Sequence, residues 1–128
     1  MKLQTERGTV TVDTDVFTSI SGWVAAGCFG VKGMAFRSIS DGIVHVLNRN
    51  SVSKGVKVTK TSSGSVHIAL HIAVEHGVNI PVVCRSIIGE VTYNVEKWTG
   101  VTVDGVDVYV DAIFQHTSSP DAHKNRKK

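Results

Sequence analysis

The clearest hydrophobic pattern in the chain is a strict alternation. Val66, Ile68, Leu70, Ile72 and Val74 take every second position, and Ser65, His67, Ala69, His71, Ala73 and Glu75 fill the places between. Period two predicts a strand with one buried face and one small, polar face. The period then changes. Val83, Ile87, Val91 and Val95 recur every fourth residue, flanked by Cys84, Ile88 and Trp98, while Arg85, Ser86, Glu90, Asn94, Glu96 and Lys97 cover much of the remainder. That spacing predicts one amphipathic helical segment from Gly77 to Gly100. Asn79 is its expected N-cap, Pro81 falls in its first turn, and Thr99-Gly100 is its stop. A last strand follows. Val101 and Val103 lead in, Asp104-Gly105 shifts the phase as a bulge, and Val106, Val108, Val110, Ala112 and Phe114 then alternate with Asp107, Tyr109, Asp111 and Ile113.

The first half is patterned less strongly. Thr9 to Val12 predicts a short strand, and Asp13 or Thr14 offers a cap for a helix using Val16, Ile20, Trp23 and Val24. Gly22 weakens that helix and Gly27 ends it. Cys28 to Ile39 is punctuated by Gly30 and Gly33, with Val31, Met34 and Phe36 as apolar contacts. Ser40-Asp41 is expected to open a short helix with Ile43, Val44 and Leu47, and Asn48 to Ser53 is expected to be a polar loop. Val56 and Val58 mark a strand joined to the next through the turn Thr61 to Gly64. The order is β-α-β-β-α-β with one short extra helix. It predicts an α+β fold, a two-layer sandwich with two main helices on one face of a four-stranded, mostly antiparallel sheet.

A length of 128 residues suits a single domain, expected over 1–116, and its 41% hydrophobic and 20% charged residues are those of a globular chain. Charge changes the picture at one end. Lys124, Arg126, Lys127 and Lys128 against Asp121 place the whole formal charge of +3 in residues 117–128, expected to be a basic flexible tail. The ten basic and ten acidic residues before it cancel, so the body carries no broad electrostatic footprint for nucleic acid. No apolar run reaches the ~20 residues of a membrane span, and Met1 to Arg7 has no secretory h-region. Cys28 and Cys84 are expected to be free thiols, Cys84 as a packing residue.

These segments resemble the alkaline shock protein family, small bacterial envelope stress response proteins found mainly in Gram-positive species. The resemblance rests on Val74-Glu-His-Gly-Val-Asn-Ile-Pro81, on the helix ending Trp98-Thr-Gly100, and on Val106-Asp-Val-Tyr-Val110. Arg37-Ser-Ile-Ser-Asp-Gly42 with Leu47, Val52-Ser-Lys-Gly-Val-Lys-Val58, and Gly30-Val-Lys-Gly-Met34 in the family's GV-x-GM region add to it. It spans roughly residues 7 to 115. Ala25-Ala-Gly-Cys-Phe29 departs from it, being apolar where family members often carry charge. The resemblance implies a cytoplasmic protein, sometimes held at the membrane by a partner, prone to self-association and linked to envelope homeostasis. It carries over no catalytic residues.

Candidate chemistry is sparse. The Gly77-Val-Asn-Ile-Pro81 string is explained as a turn, a cap and a first helical turn. His67 and His71 share a strand face, but four residues of strand hold them about 13 Å apart. One metal ion cannot join them, and each would need its own partner, such as Asp107 or Asp111. No nucleophile–base set converges, and Walker, GxSxG and HExxH motifs are absent from the sequence. No cofactor, metal or enzymatic activity is expected. The expected function is a non-enzymatic interaction or scaffold domain whose contact surface is the open sheet face of Lys57, Thr59, His67, His71, Tyr109 and Ile113. Self-association and a membrane-anchored protein partner fit that role. The alternative is a KH-like RNA-binding domain using the Gly30-Val-Lys-Gly33 loop.

Overall fold

The computed structural model describes residues 2–37, 40, 42–47 and 49–115. The elements run β1 (Lys2–Thr5), β2 (Gly8–Thr11), α1 (Thr14–Ala26), β3 (Val31–Arg37), β4 (Val44–Val46), a 3-10 segment (Arg49–Gly55), β5 (Val56–Lys60), β6 (Val66–Glu75), α2 (Ile80–Thr99) and β7 (Val103–Phe114). Two helices pack on one face of a mixed sheet, so the α+β architecture expected from the periodicities is the one observed.

Strand β6 is the axis of that sheet. β7 runs parallel to it along its whole length, from Val66 opposite Val103 to Glu75 opposite Phe114. The other edge is shared end to end. β5 pairs antiparallel with Val66 to Leu70, and β3 pairs antiparallel with Ile72 to Val74. β4 extends the sheet beyond β3. Gly55 sits at the junction of β5 and β3, where an added Cβ would lie 2.9 Å from the Ala35 carbonyl oxygen and 3.2 Å from that of His71. The parallel pair follows from α2. Twenty helical residues span about 30 Å, which returns the chain to the start of a ten-residue strand of about 33 Å.

The sheet has more strands than the four expected. Ser40 is in a turn and Val44–Val46 is a strand, so the short helix expected from Ser40-Asp41 does not form; Asp41 itself lies outside the described residues. Val31–Arg37, read only as glycine-punctuated contacts, is a strand. From Arg49 onward the expected polar loop is the 3-10 segment, and Val52 within it is buried; Asn48 lies outside the described residues. The expected strand at Thr9 to Val12 is instead half of a separate β1–β2 hairpin, in which every residue is exposed. The period-two pattern was present there, but no helix covers either face.

Both helices are capped as their sequences direct. The Asp13 carboxylate accepts the Thr14 N–H at 2.7 Å, and the Asn79 side-chain Oδ1 accepts the Val82 N–H at 3.1 Å. Gly100 closes α2 with φ of 74°, its N–H donating to Glu96. Gly77 to Asn79 are thus turn and cap, and the helix is shorter than the segment expected. Its buried stripe is Val83, Ile87, Val91 and Val95, while Trp98 is 65% exposed. On α1 the buried face is Phe17, Ile20, Ser21, Gly22 and Ala25, rotated from the expected one, and Val16 and Trp23 are exposed. Gly22 explains the rotation. A Cβ there would lie 2.9 Å from Val52, so α1 turns its glycine to the 3-10 segment. The core closes between these stripes and Met34, Val66, Ile68, Leu70, Ile72, Val74 and Val106.

Gly89 lies in the exposed interior of α2 with open space where a Cβ would stand. Gly89→Ala is expected to stabilise the fold by about 0.5–1 kcal/mol through backbone entropy and helix propensity. Ile68→Ala, in the buried face of β6, is expected to cost about 2–5 kcal/mol. Urea denaturation of both variants checks the two signs.

Candidate functional site

The face of the sheet away from the helices is built by β5, β6 and β7, with β3 beside the end of β6. On β6 it carries His67, Ala69, His71 and Ala73, the positions between the core residues. The register sets their neighbours. Thr59 on β5 and Gly105 on β7 flank His67, Lys57 and Asp107 flank Ala69, and Tyr109 stands beside His71. Five of the six residues expected on this surface therefore share it. Ile113 does not. A second register shift after Val110 pairs Ala112 with Ala73 and Ile113 with Val74, whose side chain faces the core side. The extra bulge residue reverses the alternation, and Ile113 leaves the face that Tyr109 occupies.

The first bulge builds the most specific contact. Asp104-Gly105 is the register shift expected from the sequence, with Val66 opposite Val103 and His67 opposite Gly105. The His67 ring lies over Gly105, where an added Cβ would come within 2.9 Å of its Cε1. Its Nε2 is 2.8 Å from Asp107 Oδ2, and its Nδ1 is 3.6 Å from Asp104 Oδ2. A side chain larger than hydrogen at position 105 would push the ring out of this cradle. The hydrogen bond to Asp107 raises the His67 pKa above the usual imidazole value; partial desolvation opposes the shift, and Asp104 adds to it.

His71 is held differently. Its Nδ1 is 2.9 Å from Asp111 Oδ2, and its ring stacks on Tyr109 at 4.8 Å between centroids and 15° between planes. Each histidine thus has its own aspartate on β7, and the two share no partner. Among the described residues, no group of three or more His, Cys, Asp or Glu side chains is placed to hold a metal ion. Arg37, Lys54 and Lys57 line a shallow depression of about 340 Å³ on the same face, beside His71 and Asp111. Arg37 and Lys54 were absent from the expected surface, since their placement depends on β3 and the 3-10 segment. Asp107 and Asp111 were legible by alternation with Tyr109.

The surroundings of both cysteines disfavour the thiolate. Burial pushes the Cys28 thiol up, the Glu90 carboxylate adds to this, and its Sγ donates to the Val24 carbonyl at 3.3 Å. Burial also raises Cys84. Both thiols are half-buried and unpaired in disulfides. Such surroundings oppose a reactive thiolate. The Gly30-Val-Lys-Gly33 string opens β3 instead of linking two helices. The KH-like RNA clamp therefore loses its structural basis. No helix of the described residues is long and apolar enough to cross a membrane.

Residues 2–115 match the model of the alkaline shock protein 23 family, described as having a cell envelope-related function. The chain is 31% identical over 114 residues to the uncharacterized protein YloU of Bacillus subtilis (strain 168), covering 88% of this chain and 94% of that one. It is 34% identical over 114 residues to the uncharacterized protein Spy1614 of Streptococcus pyogenes serotype M6, covering 88% and 93%. No solved structure matches the chain significantly.

The His67 contacts carry a pH dependence of definite sign. The folded-state pKa lies above the unfolded value of about 6.5. The imidazolium contribution to stability is therefore complete below that unfolded value and is lost as pH rises through the folded one. NMR titration is expected to show His67 titrating above free imidazole, and Asp107→Asn to lower it. The stability difference between wild type and His67→Gln is expected to shrink over the same rise in pH. A wild-type His67 that titrates like free imidazole contradicts the assignment.

Proposed function

The chain belongs to the alkaline shock protein 23 family, with its cell envelope-related function, and from that membership we propose a non-enzymatic interaction module whose working surface is the uncovered sheet face. The observation that carries this is the asymmetry of the sheet. One face is sealed by two helices, and the other presents Lys57, Thr59, His67, His71 and Tyr109 without a covering layer among the described residues. Tyr109 is 49% exposed and is locked flat against His71, so it offers ring area at little entropic cost.

The raised thiols and the separate His–Asp pairs support a binding role over turnover. A catalytic constellation would need a nucleophile within reach of its base. Here the thiols lie on the helices' side of the molecule and the histidines on the other. The module works at the cytoplasmic side of the envelope, reaching the membrane through a protein partner and associating with itself. Residues 1–116 act as the folded unit. The basic residues of 117–128 lie outside the described residues.

Complementation in a bacterium lacking the protein tests this. Under envelope stress, a Lys57→Glu/Tyr109→Glu variant is expected to fail to restore survival while keeping a wild-type circular dichroism spectrum. A Ser86→Arg variant on the outer face of α2 is expected to restore it. Full rescue by the first variant would overturn the assignment of the sheet face.

A further inference from the structure

Charge is divided across the uncovered face in one direction only. Along the β5 and β3 side stand Arg37, Lys54 and Lys57. Along β7 stand Asp104, Asp107 and Asp111, on or beside the histidines. Between these stripes runs β6, with the small residue Ala69 and the flat His71–Tyr109 stack, while Ala73 beyond them is fully buried. One rung of the sheet reads Lys57, Ala69, Asp107 from edge to edge. The basic side chains at 54 and 57 are exposed, and the Asp104 and Asp107 side chains are 59% and 55% exposed.

A surface that is basic on one side and acidic on the other complements itself. We infer that a second copy of this chain covers the face, the two sheets packing about a two-fold axis parallel to β6. Rotation about that axis exchanges left and right, so the basic side of each copy lies over the acidic side of the other. A two-fold axis across the strands would instead set lysine over lysine and aspartate over aspartate. Charge thus selects one of the two symmetric face-to-face arrangements. The low central column lets the sheets approach to the ~10 Å of aligned sheet packing. The two Tyr109 rings lie near the axis and give the contact its apolar centre.

This rests on the proposed use of the sheet face for interaction and names its partner. Sedimentation equilibrium from micromolar to near-millimolar concentration tests it with charge-reversed variants. Lys54→Glu/Lys57→Glu reverses two of the three charges on the basic side, leaving Arg37, and Asp104→Lys/Asp107→Lys reverses two of the three on the acidic side, leaving Asp111. Wild type is expected to dimerise, less so as salt screens the charges. Each variant alone is expected to stay monomeric, and an equimolar mixture to form a one-to-one heterodimer. Should Asp107→Lys disturb the fold through His67, Asp104→Lys alone keeps the Asp107 contact and is expected to weaken dimerisation. A monomeric wild type, dimerisation unchanged by charge reversal, or a mixture that fails to associate each overturns the dimer. The first of these with loss of function in the complementation experiment leaves the interaction role standing with another partner. A charge-dependent dimer with full rescue by the face variants overturns the role and leaves the dimer.

Discussion

Everything in this domain is hung on the hydrogen bonding of β6. The strand uses both of its edges, one along β7 and one divided between β5 and β3. Its core face supplies Val66, Ile68, Leu70, Ile72 and Val74, each fully buried beneath the helices. Paired on both edges, β6 has no freedom to slip, because a shift of one residue would turn five aliphatic side chains to water. The opposite face is then fixed by the same register. The two histidines stand where they do because the aliphatic residues beside them must be inside.

The bulges in β7 turn that scaffold into a particular surface. Parallel pairing by itself would bring Asp111 and Ile113 up on the same side as Tyr109. The shift at Asp104-Gly105 opens a cradle for His67, and the second one, after Val110, sends Ile113 away and keeps Ala112 beside Ala73. What remains is a face whose protruding groups are polar or aromatic and whose floor is alanine. Such a face is less costly to leave in water than an aliphatic one, and it still has the ring area and charge to hold a protein.

The strongest periodicities were legible in the sequence because burial imposed them over many residues. β6, α2 with its Asn79 cap and Gly100 stop, the β5–β6 hairpin and the first bulge all follow from local pattern. The weaker half was harder for physical reasons. β3 is interrupted by Gly33 and β4 is three residues long, so neither builds up a period, and the pairing that stabilises them is with distant residues. The rotation of α1 came from a contact between Gly22 and Val52 that helix spacing alone does not encode. On the candidate surface, alternation found the histidines and Tyr109. It missed Arg37 and Lys54, which reach the face through β3 and the 3-10 segment, and it misplaced Ile113, whose bulge leaves no glycine or turn signal in the sequence.

The shared edge of β6 has a consequence for how the chain reaches this state. β6, α2 and β7 are consecutive, so the parallel pair and the helix over it come from one stretch of chain. β5 joins that stretch through a short turn. β3 must come from farther away and find the few remaining positions, Val31 to Met34, against a strand already paired on its other side. The meeting point at Gly55 is then a seam between a pairing made through a short turn and one made across a long stretch of chain. A side chain larger than hydrogen at position 55 would meet two backbone carbonyls there, so both pairings on that edge of β6 depend on one glycine.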